Sequence, residues 1–145
     1  MSRSGYTDDM DDDLAMGRWR GMVASATRGK RGQKLLTELL AALDAMPEKA
    51  LVASELETKD GDVCALGALG KARGIDMGQL DPEDPERVAA AFGIAAPLAQ
   101  EIVYMNDEEY DSKWDANAKR YVDISPEERW TRMREWVARQ IKVAA

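Results

Sequence analysis

The 145-residue chain is long enough to bury one core, and its 45% hydrophobic content is that of an ordinary globular domain. It holds no histidine and one cysteine, Cys64, which excludes Cys/His metal sites, an internal disulfide, and Ser-His-Asp or Cys-His catalysis. The net charge of −7 is unevenly spread: residues 1–13 carry −4, 14–34 carry +6, 35–116 carry −12 and 117–145 carry +3.

Met1 to Asp13 lacks the basic-then-apolar pattern of a secretion signal. Its Asp8, Asp9, Asp11, Asp12 and Asp13 make residues 1–13 an acidic flexible arm, and residues 14–145 a single helical domain. Leu14 to Ala26 reads as a helix, with Trp19, Met22, Val23 and Ala26 on one face. Gly29 and Gly32 break it. Leu35, Leu36, Leu39, Leu40 and Leu43 then form a broad apolar stripe on a second helix, which Pro47 ends.

Leu51–Glu57 and Val63–Leu66 read as two short strands around the turn Lys59-Asp60-Gly61-Asp62, although Ala-rich runs of this length also form helix. Ala65 to Arg73 reads as a short helix. Asp84 with Pro85 opens another, which Gly93 ends. Pro97 opens the next, running to about Asn106. Asn106 to Asn117 is polar and reads as a loop. Ser125-Pro126-Glu127-Glu128 is a capping box before the final helix, whose Trp130, Met133, Val137 and Ile141 face inward. The fold class expected is mainly α: a compact helical domain with one short two-stranded β-hairpin around 51–66.

Four features bear on function. Arg28-Gly29-Lys30-Arg31-Gly32 with Lys34, together with Arg18 and Arg20, places cations beside glycines at a helix start. That suits phosphate contact, although a solvated turn whose cations offset nearby acids is the favoured reading. The segment 84–105 has the small-apolar and glycine positions of a helix-turn-helix. Its second helix, however, offers one Gln and no Arg, Lys or Asn to base edges, so a packed helical hairpin is favoured. Trp114, in a polar stretch, is either a binding anchor or a ring folded back on the core edge.

The fourth feature is Cys64-Ala65-Leu66-Gly67-Ala68-Leu69 with Asn106-Asp107. Chemically it reads as a thiol oriented by an amide and a carboxylate. With no His to act as base, a buried, inert Cys is the expected state, and no catalytic residue is assigned. This Cys-Ala-x-Gly-Ala-Leu segment, the later Asn-Asp and the acidic-start last helix resemble uncharacterised small bacterial, phage and prophage proteins. The similarity runs through residues 28–33, 35–57, 64–76, 81–106 and the last helix, with 108–123 as extra length. The resemblance implies a mobile-element origin and supplies no activity.

The reading that follows is a non-enzymatic, cytoplasmic accessory protein that binds and inhibits a host or defence protein, without cofactor, metal or membrane. Its acidic middle suits a basic, nucleic-acid-handling target. A nucleic-acid-binding regulator using residues 18–34 or the 84–105 hairpin is the alternative. The interaction residues are Arg18, Arg20, Arg28, Lys30, Arg31, Lys34 and Trp114.

Overall fold

The computed structural model describes residues 3–6, 13–109 and 111–142. Helix α1 (Asp13–Arg28) turns sharply into α2 (Lys30–Ala45). Then come α3 (Ala65–Arg73), α4 (Pro85–Phe92), α5 (Ala96–Tyr104), the antiparallel strands β1 (Ser112–Asp115) and β2 (Arg120–Asp123), and α6 (Pro126–Gln140). The protein is mainly α with one short β-hairpin. No single helix among the described residues is long and apolar enough to cross a membrane.

The leucine stripe of α2 is the centre of the core. Leu35, Leu36, Leu39 and Leu43 are buried, and α3 and α6 pack against the helix that carries them. Leu40 lies at the edge of the stripe and is only partly buried. The α1–α2 elbow depends on Gly32: a Cβ there would stand 2.0 Å from the Ala26 carbonyl oxygen, so only glycine lets the two helices approach this closely. On α1, Val23 is buried, but Met22, expected beside it, is 48% exposed. On α6, Met133, Trp136 and Val137 are buried, while Trp130 and Ile141 sit at the core's rim.

The hairpin expected around 51–66 is there reduced to an isolated bridge, Glu57 with Val63, around a turn with Gly61 at φ 88°. Only that turn chemistry is local. The rest of 51–57 serves the core instead, with Leu51 and Leu56 buried. The hairpin forms in 112–123, part of which reads as loop in the sequence. Ser112 pairs with Asp123, Lys113 with Val122, Trp114 with Tyr121 and Asp115 with Arg120. Ser125 caps α6, its Oγ accepting from the Glu128 N–H at 3.1 Å. The Glu128 carboxylate takes Lys113 at 2.7 Å, which ties the hairpin to the helix start.

The start of the chain departs from expectation. Arg3 and Ser4 are buried, and the Tyr6 ring packs edge-on to Trp19 and tilted against Tyr104. The four residues Arg3–Tyr6 are therefore built into the fold and not a free arm, because a buried carboxylate and a ring cluster hold them. The side chains of Asp8, Asp9, Asp11, Asp12 and Asp13 lie outside the described residues.

Candidate functional site

Two constellations stand out, one buried and one exposed. The buried one gathers Arg3, Cys64, Asn106 and Asp107. After α5 the chain continues as a π turn, Met105–Glu109, which rotates Asn106 and Asp107 toward the start of α3. Asn106 is 1% exposed. Its Oδ1 accepts from the Ala65 N–H at 3.0 Å, and its Nδ2 donates to the Val52 carbonyl at 3.0 Å and to Asp107 Oδ1 at 2.8 Å. The Asn106 carbonyl accepts from Arg129 of α6. Arg3 closes the cluster with a two-pronged pair to Asp107, Nε–Oδ2 at 2.6 Å and Nη2–Oδ1 at 2.8 Å.

Cys64 is the N-cap of α3. Its Sγ accepts from the Gly67 N–H at 3.4 Å and from Arg3 Nη1 at 3.5 Å. At 1% exposed, with Arg3 across it, the sulfur is buried, as the sequence reading expects. Burial works against the charge of Asp107. The hydrogen bonds and charge of Arg3, with those of Asn106 and the Ser54 N–H, more than offset it and hold the carboxyl below its ordinary range. Burial also opposes the Arg3 charge, but the sulfur and the carboxylate beside it keep the guanidinium protonated. The cluster is thus a closed, fully partnered junction of five segments. Among the described residues, no group of three or more Asp, Glu or Cys side chains is arranged to hold a metal ion.

The exposed constellation surrounds the α1–α2 elbow. An open groove of about 860 Å³ is lined by Arg18, Met22, Lys30 and Arg31, with Ala95 and Pro97 at the start of α5 opposite. Arg18, Arg28, Lys30, Arg31 and Lys34 are all exposed, and none pairs with a carboxylate among the described residues. Arg20 does not belong with them. It grips the buried Glu101 with both terminal nitrogens, at 2.8 and 2.7 Å, and so anchors α1 to α5.

Trp114 is 56% exposed on β1, and its ring meets Tyr121, 69% exposed, at 5.3 Å. It does not fold back on the core. Lys119 and Arg120 stand exposed at the hairpin's tip.

The helix-turn-helix reading of 84–105 finds matching backbone and no matching surface. The chain bends by 105° between the two helices, within the angle such motifs use. Yet every residue of α5 is buried or partly buried, so the helix has no free face to lay in a groove.

Sequence reasoning missed Arg3, whose one signal is that it is the sole cation among five Asp in residues 1–13. It also missed Tyr121, which became legible only through its register with Trp114. Comparison with known proteins places the chain nowhere: no family model, no curated protein and no solved structure matches it.

Proposed function

We propose that the protein is a non-enzymatic binding protein that docks on another protein through the tip of the β1–β2 hairpin. The observation that carries this reading is the Trp114–Tyr121 pair, two large rings left in solvent on a projecting hairpin. Trp and Tyr are the side chains that most often anchor protein interfaces. A cross-strand aromatic pair also steadies its own hairpin, by about 0.2–1 kcal/mol. That role alone does not require both rings to stay so exposed. Lys119 and Arg120 beside the rings favour an acidic rim around the partner's pocket.

The resemblance to small phage and prophage proteins supports a host or defence protein as the partner, and inhibition as the outcome. The closed state of the Cys64 junction supports a role without chemistry. The acidic middle contributes less to docking than its charge implies, because Glu38, Asp44, Glu57, Asp84, Glu101 and Asp107 are spent on internal ion pairs.

The test is affinity capture from bacterial lysate with the wild type and with a W114A/Y121A double variant, followed by titration of the purified captured protein. A partner that binds the wild type and loses at least about tenfold in affinity for the double variant supports the reading. Equal binding by both, or no captured protein, overturns it. Retained helical signal in the double variant excludes unfolding as the cause.

A further inference from the structure

We propose that the face around the α1–α2 elbow binds the phosphodiester backbone of nucleic acid, independently of base sequence. This surface is distinct from the hairpin, and the proposal stands or falls apart from the docking reading.

The face is assembled from both basic ends of the chain. The groove holding Arg18, Lys30 and Arg31 adjoins a second cavity of about 350 Å³, with Arg31 shared between them and Lys34 beyond. On the other side of α1 a third, of about 250 Å³, brings Arg28 together with Arg139 and Lys142 from the end of α6. The clamp that does this is Gln33. Its Nε2 donates to the Thr27 and Gln140 carbonyls at 2.8 and 2.9 Å, and its Oε1 accepts from the Lys142 N–H at 2.8 Å. Two cations of the +3 block, Arg139 and Lys142, thus stand beside Arg28 of the +6 block, a juxtaposition that the linear charge pattern does not reveal.

Among the described residues these cations are clustered and none of them is in a salt bridge. The salt bridges among the described residues engage Arg3, Arg20, Lys71, Arg73, Lys113 and Arg134, and a longer contact engages Arg87. None reaches the elbow cations. Helix α2, which opens on the first groove, also begins without a side-chain cap, at Gly29, so no side chain competes for its first N–H groups. The net charge of −7 does not forbid anion binding here, because at physiological salt fields beyond roughly 8 Å are screened and the local charge dominates.

The same face explains why the contact is to phosphate. Its aromatic neighbours, Phe92 and Trp136, are 2% and 7% exposed and offer no ring for a base to stack on. Flexible cations without fixed fork geometry position a backbone but do not read base edges.

The experiment is fluorescence anisotropy with a labelled poly-dT oligonucleotide and a labelled duplex of equal length, each at two salt concentrations. It compares the wild type with K30E/R31E and with K59E/R87E, which changes net charge equally at exposed sites away from the elbow. The expected result is wild-type binding that weakens with salt, a loss of about tenfold or more in K30E/R31E, and near-wild-type binding by K59E/R87E. A preference for poly-dT or for duplex then says which backbone geometry the face fits. Absence of wild-type binding to both probes at low salt, salt-insensitive binding, or equal losses in the two double variants overturns the proposal.

Discussion

Asn106 fixes the start of α3 by accepting from the Ala65 N–H at 3.0 Å, across 41 positions of sequence. Ala65 is fully buried, so no water replaces this acceptor. N106A therefore strands the buried Ala65 N–H, at about 1–3 kcal/mol for a buried group left without a partner, and removes the donor from the part-buried Val52 carbonyl. N106D is expected to be worse at neutral pH, because its second oxygen would face the Val52 carbonyl and Asp107 Oδ1, an acceptor against acceptors. That crowding raises the pKa of the new carboxyl in the folded state, so the variant should regain stability as pH falls and the group becomes a donor. Urea melts of both variants at neutral and mildly acidic pH check this. Equal, small losses would show that Asn106 is not the fastening point.

Asp107 gives the wild type an acid-dependent stability of the opposite sign. Its folded pKa lies below the ordinary value of 3.8, so within that interval the unfolded chain binds more protons than the folded one. The contribution is complete above the ordinary value and is lost as pH falls through the folded pKa. D107N should flatten the stability profile in that window while lowering stability at neutral pH. Thermal melts between neutral pH and the acid limit, compared for wild type and D107N, measure it.

Cys64 is expected to react slowly with a thiol reagent in the native protein, since it is 1% exposed. R3A removes both the guanidinium over the sulfur and the partner of a buried carboxylate. The second loss alone is expected to cost about 3 kcal/mol, at the low end for a broken buried pair, because Asn106 and Ser54 still donate to Asp107. Labelling of R3A should therefore be faster than that of the wild type at denaturant concentrations where both stay folded. Identical rates would mean that Arg3 does not gate the thiol.

Leu36 and Leu40 separate the centre of the α2 stripe from its edge. Leu36 is 0% exposed, and L36A should cost about 2–5 kcal/mol. Leu40 is only partly buried, and L40A should fall clearly below that range. Denaturant midpoints at a common slope distinguish the two, and equal losses would contradict the packing described.

The elements legible in the sequence are those whose signal is local. The α2 stripe repeats with the helical period, Gly93 and Pro85 bracket α4, and Ser125 announces α6. The β1–β2 hairpin lacks the alternation of a half-buried strand because both of its faces are largely exposed, so the period that marks strands was absent. The Arg3–Asp107 junction was illegible for a different reason. It depends on a π turn that no propensity predicts and on a pairing across 104 residues. The elbow cations were visible as a run, but which of them would be consumed internally was not: Arg20 differs from Arg18 only by facing Glu101.

The order in which a ribosome delivers these segments gives the N-terminal strap a further meaning. Arg3 leaves the ribosome 104 residues ahead of its partner Asp107, so the segment Arg3–Tyr6 is made well before it is able to dock. Until residues 101–108 have emerged, the growing chain holds Cys64 without its cover. Synthesis is thus the stage at which this otherwise sheltered sulfur is open to reagents, and a chain slowed before α5 would stay open longer.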